Sequence, residues 1–179
     1  LQIGNSLFVN YNSKSEGRIG YFKIEIQQAF SPYYFDDQKK LSCISSAMHL
    51  IKLLTAESQQ NQFIYSLIND FYIFLKNDDW IKNYVYWELE LFKTLGFDLV
   101  FANLVDKKII NNQLKYISKS ITEKKIIPNF LIDKTPETID TKTLLDGLKL
   151  VGDYLDKTIL KPNNLIHPIS RLQFISTLK

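Results

Sequence analysis

The side chains best suited to chemistry in this chain of 179 residues are lysines that could neutralise phosphate groups. Residues 105–134 hold seven lysines and three carboxylates, whereas residues 36–104 carry a net charge of −3. Phosphate binding depends on the number and clustering of cations more than on their fine geometry. A solvated lysine face is the alternative explanation. The candidate phosphate-binding residues are Lys107, Lys108, Lys115, Lys119, Lys124 and Lys125.

A second mixture of cations and aromatic rings lies near the N-terminus. Proteins that bind single-stranded nucleic acid combine such residues, because the rings stack on bases while the cations meet the phosphates. The alternative is a surface with ordinary charges beside aromatic residues of a core. The residues concerned are Tyr11, Lys14, Arg18, Tyr21 and Lys23.

Catalytic patterns are absent from the sequence, which has no glycine-rich phosphate loop, dinucleotide fingerprint or nucleophile elbow. His49 and His167 have no metal-ligating neighbour at usable spacing, and no histidine or cationic cluster adjoins Cys43. Glu88 and Glu90 are two residues apart, so on a helix they point to different faces. We therefore predict no catalytic residue, no metal site and no cofactor.

Composition sets broad limits. A single cysteine excludes an intramolecular disulfide and suggests a reducing compartment. No apolar run is long enough for a bilayer and no charged-then-apolar leader is present, so no membrane partner is expected. The chain begins at Leu1 rather than Met, and we expect it to be a fragment of a longer protein.

A helix over residues 78–96 is predicted to organise the fold. Asp78 and Asp79 are expected to cap it, and Gly96 to end it in the left-handed conformation. Glu88 falls within its apolar stripe, where a carboxylate is costly unless it is paired. The chain has only two arginines, and the one in the closing segment, Arg171, is the predicted buried partner of Glu88.

The flanking segments differ in periodicity. Residues 1–35 read as two strands, including Gly20–Gln27 with its alternating apolar residues, and they are interpreted as the end of an incomplete small β-barrel. Residues 36–179 show helical spacing, with a further helix from about Lys142 to Leu160 capped by Thr141. Residues 97–135 form an irregular basic insert with an extended start and a possible hairpin through 116–118. The predicted fold class is mainly α, α+β as a whole.

The central helix carries a family resemblance. Tyr86–Phe97 resembles the aromatic–Glu–Leu–x–Leu–Leu–x–x–Leu–Gly–aromatic helix of RecO, a bacterial family of recombination mediators. Four further motifs that resemble the family follow the family's order along nearly the whole chain: Leu1-Gln2-x-Gly4-Asn5, Ile44-Ser45-Ser46-Ala47, Leu160-Lys161-Pro162 and Pro168-Ile169-Ser170-Arg171.

The resemblance implies that residues 1–35 are the last strands of an incomplete OB-like barrel. It also implies a non-catalytic function in the bacterial cytoplasm, at the nucleoid. RecO proteins bind single- and double-stranded DNA, anneal strands, bind the acidic C-terminal tail of the single-strand-binding protein, and with RecR help to load RecA. For that tail we expect an apolar groove with a cationic rim on the helical domain. Many members carry zinc, but Leu104 stands where the first zinc cysteine is usual, so no zinc is expected. The alternatives are a helical protein–protein adaptor that has lost DNA binding and, less favoured, a small enzyme.

Overall fold

The computed structural model describes residues 2–15, 17–57, 59–110, 113–119, 124–133 and 139–179. Leu1, the first residue of the N-terminal motif, lies outside these ranges. Within them the chain is mainly helical with two small antiparallel sheets, which confirms the predicted fold class. None of the helices in this part of the chain combines the length and the apolar character needed to cross a membrane.

The N-terminal sheet is a two-stranded ribbon of β1 (Ser6–Asn12) and β2 (Tyr21–Gln28). Alternation along paired strands places most of the apolar side chains of both strands on one face, although Phe8 lies on the other. This face is open to solvent, with Phe22 63% and Val9 47% exposed. We call it the apolar ribbon face, and its members are Leu7, Val9, Tyr11, Phe22, Ile24 and Ile26.

The base of the ribbon is fixed to the helices. The Asn5 side chain accepts hydrogen bonds from the backbone N–H groups of Phe30 and Ser31. The ring of Phe30 stacks on Tyr72 with 3.8 Å between centroids, and the Tyr72 hydroxyl donates to the carbonyl of Gly4. Phe30 and Tyr72 therefore connect the ribbon to the second helix.

Six α-helices follow in the part of the chain that the structure describes, and acidic or amide side chains cap three of them. Asp37, Asn61 and Asp140 each accept a hydrogen bond from the backbone N–H three residues later, which satisfies a donor that the helix itself leaves free. The helices are α1 (Gln38–Leu54), α2 (Gln62–Phe74), α3 (Trp80–Thr94), α4 (Phe130–Asp133), α5 (Thr141–Leu155) and α6 (Ile169–Thr177).

Two of the predicted caps are wrong. The cap of α5 is Asp140 rather than Thr141, which is the first helical residue. Asp79 occupies the cap position of α3, but its side chain makes no capping bond. Its carboxylate instead accepts a hydrogen bond from the Asn83 amide at 2.8 Å and pairs with Lys82 at 3.2 Å.

Helix α3 lies at the centre of the core, between α2 and α5, and α1 packs against α6. Trp87 donates its ring N–H to the Leu67 carbonyl of α2, while Phe174 of α6 meets Tyr84 edge-on at 5.1 Å. The helix ends as predicted, with Gly96 at φ +90°. The N–H groups of residues 96 and 97 then bond carbonyls of the last turn, as in a Schellman motif.

The basic insert is more regular than its sequence indicates. A 3₁₀ turn (Phe101–Leu104) begins at the last residue of the expected extended segment, and residues 97–100 before it form no strand. It leads into an antiparallel sheet of β3 (Val105–Ile110), β4 (Gln113–Ser118) and β5 (Ile126–Ile127), with β4 in the middle. An antiparallel hairpin of β3 and β4 is present within the predicted region, but its turn is not at residues 116–118, because these residues lie in β4. The reason is burial, since the Tyr116 side chain is only 1% exposed and packs on the core.

The last predicted long helix is divided. Regular α5 ends at Leu155, and a π-helical turn (Asp156–Leu160) and a 3₁₀ turn (Lys161–Asn163) follow. Asn164 then adopts a left-handed conformation with φ 55°. This reversal directs the chain into α6, which carries Arg171.

Candidate nucleic-acid interface

The sheet of β3, β4 and β5, here called the basic sheet, has two different faces. Its inner face packs on the core through Val105, Tyr116 and Ile127, all buried. Lys107 lies on this face opposite Tyr116, and its ammonium is 5.6 Å from the ring centroid. Because the core occupies the inner face, an extended ligand must approach the outer face, which carries Lys108.

On the outer face, Lys108 and Lys115 are direct cross-strand partners. Directly opposed residues place their Cβ atoms about 4.5–5.5 Å apart, and like charges at this spacing destabilise a sheet. Within the described residues, neither ammonium has a carboxylate within 4.0 Å. A bound anion would relieve this repulsion, and the exposed Ile126 offers apolar surface on the same face.

The three later lysines of the predicted cluster are placed differently. Lys119 donates to the Asn103 carbonyl at 3.1 Å, and Lys125 pairs with Asp153 of α5 at 3.3 Å. Lys124 is exposed. The structure therefore brings Lys108 and Lys115 together, whereas contacts with protein groups hold Lys119 and Lys125.

The N-terminal candidates do not share one surface. Tyr11 lies on the apolar ribbon face, where its ring is 5.1 Å from that of Phe22. Tyr21 and Lys23 point to the opposite face, and Lys23 pairs with Glu25 at 3.3 Å. Lys14 and Arg18 lie on the exposed loop between the strands. The predicted mixture of rings and cations is thus split by the strand alternation.

The expected ion pair between Glu88 and Arg171 is present, and both residues are buried. Glu88 is 0% exposed and Arg171 is 2% exposed. Arg171 donates through Nε and Nη2 to the two carboxylate oxygens of Glu88, both at 2.8 Å, and through Nη2 to the Leu148 carbonyl at 2.9 Å. Burial alone would lower the pKa of Arg171, but the Glu88 carboxylate holds it above its ordinary value. The pair joins α3, α5 and α6.

Gly152 is a feature of this pair that the sequence reading missed. A Cβ at this position would lie 2.7 Å from Nη1 of Arg171. The glycine of α5 therefore makes room for the guanidinium group. The sequence feature that could have indicated this role is the position of Gly152 inside a predicted helix, where glycine is unfavourable.

The other reactive side chains are placed for packing. Burial, and then the charge of Glu88, raises the pKa of the fully buried Cys43 thiol well above its ordinary value, so the thiol stays protonated. His49 Nδ1 lies 2.8 Å from the Ser45 carbonyl of its own helix. In the described residues no group of three or more His, Cys, Asp or Glu side chains is arranged to hold a metal ion.

One cavity adjoins the central helix, and a smaller one lies beside the basic sheet. The larger, about 660 Å³, has an apolar lining and a rim of Asp70, Glu90 and Asp98 with Lys93 as its cation. The expectation that an apolar groove would have a cationic rim is wrong for this cavity. The three carboxylates belong to the acidic segment 36–104, which was the available signal for them.

The smaller cavity, about 280 Å³, lies between the basic sheet and α5. Lys125 and Lys157 reach it together with one carboxylate, that of Asp153. Its apolar lining includes Phe101 and Leu150. Its charge is therefore the opposite of that of the larger cavity.

Comparisons with known proteins agree with the motif order described above. A family model described as "Recombination protein O C terminal" matches residues 36–122. The DNA repair protein RecO of Rhodospirillum centenum is 23% identical over 190 residues, which cover 98% of this chain and 75% of that protein. The RecO proteins of Anaplasma marginale (strain Florida) and Ehrlichia chaffeensis are 22% and 28% identical, over 92% and 66% of this chain and 76% and 49% of their own lengths.

No solved structure gave a significant match. The family model spans α1 to α3 and the first strands of the basic sheet, and the relatives extend the similarity to nearly the whole chain. The matched range of the family model thus includes both the core helix that contains Glu88 and the first strands of the basic sheet. The chain is therefore similar to RecO DNA repair proteins over nearly its whole length.

Proposed function

We propose that this protein binds DNA through the outer face of the basic sheet and acts without catalysis as a recombination mediator. The observation that carries the proposal is the pair of opposed ammonium groups of Lys108 and Lys115, which no carboxylate of the described residues neutralises. Phosphates bound there would replace a repulsive contact with attractive ones. The DNA repair function named for the relatives agrees with such a ligand.

Phosphate contacts of this kind carry no sequence information, so binding should be general and strongly dependent on salt. Each phosphate that a lysine neutralises on a single strand contributes about 0.7 to the slope of log K against log salt concentration. Loss of the Lys108 and Lys115 contacts should therefore lower the slope by about 1.4.

The test compares two charge reversals with the same change in net charge. Lys108→Glu with Lys115→Glu should weaken binding of a labelled single-stranded oligonucleotide and flatten the salt slope, as measured by fluorescence anisotropy. The matched control, Lys39→Glu with Lys142→Glu, changes exposed lysines in the first turns of α1 and α5, where a carboxylate suits the helix dipole. Equal loss in both variants would mean that net charge alone matters. No loss in either variant would place DNA binding on another surface, whereas absence of binding to the unaltered protein would favour the alternative, a helical adaptor without DNA binding.

For the acidic, aromatic tail of the single-strand-binding protein we propose the smaller cavity. Lys125 and Lys157 supply cations beside an apolar lining, whereas the larger cavity would repel an acidic peptide. The contact should be weak, with a dissociation constant toward the millimolar range. Lys157→Glu should weaken binding of a synthetic tail peptide, and Lys142→Glu at the start of α5 should not. Absence of binding to the unaltered protein at near-millimolar peptide would contradict the site.

The remaining family functions complete the proposal. With RecR the protein would help to load RecA on gapped DNA, in the bacterial cytoplasm at the nucleoid, and it would anneal complementary strands. It would require no zinc, since Leu104 stands at the position usual for the first zinc cysteine. An assay of strand annealing in the presence of a chelator tests both the annealing function and the absence of a zinc requirement. Loss of annealing that added zinc restores would contradict the absence of zinc.

A further inference from the structure

The larger cavity, here called the acidic groove, is an apolar surface that the proposed DNA and tail contacts do not use. Its floor is formed by the buried Leu67, Trp87 and Leu131, from three different elements. At its edges Ile73 and Val100 are 64% and 45% exposed. Its volume of about 660 Å³ lies in the range of real binding sites. The groove can therefore accept several apolar side chains.

The charges at its rim determine which ligand can bind. Asp70 comes from α2, Glu90 from α3 and Asp98 from the segment after α3. Lys93, the only cation among the lining residues, lies 3.8 Å from Glu90. In the part of the chain that the structure describes, Asp70 and Asp98 have no cation within 4.0 Å. Two carboxylates therefore face the groove without counter-charges.

We propose that the acidic groove binds a short basic, amphipathic helix of a partner protein. Leu- or Phe-type side chains of the helix would cover the floor, and its Lys or Arg side chains would pair with Asp70 and Asp98. Recognition of one apolar helix face in a groove is a recurrent mode, with anchors at positions i, i+3, i+4 and i+7. The same carboxylates exclude nucleic acid and acidic peptides, so this site is independent of the proposed DNA function.

The test uses two labelled peptides of about 14 residues with the same Leu and Phe anchors at helical spacing. One peptide carries Lys and the other Glu at the flanking positions. By fluorescence anisotropy, the basic peptide should bind the full chain and the acidic peptide should not. The double variant Asp70→Asn with Asp98→Asn should weaken binding of the basic peptide about three- to tenfold, which is the effect expected from the loss of two exposed ion pairs.

Two controls separate the groove from general charge and from folding. Asp36→Asn with Glu57→Gln removes two exposed carboxylates outside the groove and should leave peptide binding unchanged. Ile73→Ser changes an exposed apolar residue at the edge of the groove. It should weaken peptide binding without loss of the helical circular dichroism signal.

Several results would overturn the proposal. They are equal binding of both peptides, an unchanged affinity in the Asp70 and Asp98 variant, and no binding up to near-millimolar peptide. Self-association that this variant abolishes would assign the groove to a second copy instead. Oligonucleotide binding should be unaffected in every groove variant, so failure here leaves the DNA proposal to its own test.

Discussion

Glu88 and Arg171 are the residues whose roles the structure defines most closely. A buried ion pair is not a strong source of net stability, because desolvation of two charges offsets much of their attraction. Once both charges are buried, however, each depends on the other. The bidentate geometry and the additional bond to the Leu148 carbonyl satisfy both groups. The pair therefore acts mainly to fix how α6 docks on α3.

Removal of one partner should be far more harmful than removal of both. Arg171→Met leaves a buried carboxylate without its partner and should lower the free energy of unfolding by about 3–5 kcal/mol. Arg171→Met with Glu88→Leu should cost less, since no charge is stranded. Urea unfolding followed by circular dichroism measures both, with the exposed Glu57→Gln as control. Equal losses in the single and double variants would contradict this dependence.

Gly152→Ala offers a test in which two effects have opposite signs. Helix propensity alone predicts a gain of up to about 1 kcal/mol. The clash of the new Cβ with Arg171, 2.7 Å from Nη1, predicts a loss instead. We expect the loss to dominate and to disappear when Arg171 is also changed to Met. A stabilised single variant, measured by urea unfolding, would show that the guanidinium can move away.

His167 should make the stability of the fold depend on pH. Burial, and then the charge of Arg171, lowers the pKa of this histidine below its ordinary value. The unfolded chain therefore binds the proton more readily, so the stabilisation is complete above pH about 6.5 and is lost as the pH falls through the lower folded value. Unfolding free energies at pH about 7.5 and about 5.5 should differ more for the unaltered protein than for His167→Gln. If the unfolding free energy changes equally with pH in both proteins, groups other than His167 cause the acid sensitivity.

At the level of elements, the helices were predictable because the spacing of their apolar residues and the residues at their ends both indicate a helix. The sequence did not determine which side chain caps each helix. Asp140 and Thr141 are adjacent and both suit a cap, and only the backbone angles decide between them. Asp79 has other partners in Lys82 and Asn83, which the sequence cannot rank against a capping bond.

The basic sheet shows a different limit. The lysines were visible in the sequence, but their arrangement depends on strand register. One residue of slip would move Lys108 away from Lys115 and to the other face. The two lysine pairs, 107–108 and 124–125, were read as the boundaries of a hairpin. Tyr116, read as part of its turn, is instead a core residue of the middle strand. The acidic groove was invisible because its carboxylates come from separate elements.

The cap of α5 provides a test at this level. Asp140→Ala should lower the melting temperature, because the backbone N–H of Thr143 loses its acceptor. Thr141→Ala should have little effect, since Thr141 is the first helical residue rather than the cap. Thermal unfolding followed by circular dichroism compares the two. A larger effect at Thr141 would support the assignment first made from the sequence.

For the whole molecule, the charges form two surfaces of opposite sign on different elements. The basic sheet belongs to residues 105–127 and the acidic rim to residues 70–98. Changes at independent sites are usually additive. Combining Lys108→Glu and Lys115→Glu with Asp70→Asn and Asp98→Asn should therefore give the DNA defect of the first pair and the peptide defect of the second. Restored DNA binding in the combined variant would show that the acidic rim acts on the DNA surface through long-range repulsion.

The link between Glu88 and Arg171 spans 83 residues of chain, which has a consequence for biosynthesis. Ribosomes add roughly 5–20 residues per second, so α3 emerges several seconds before its arginine. During that interval the Glu88 carboxylate must remain hydrated, and the surface of α1 that α6 covers stays open. The newborn helices therefore cannot close their core in order of synthesis. This interval is when a chaperone that recognises exposed apolar helices would meet the chain.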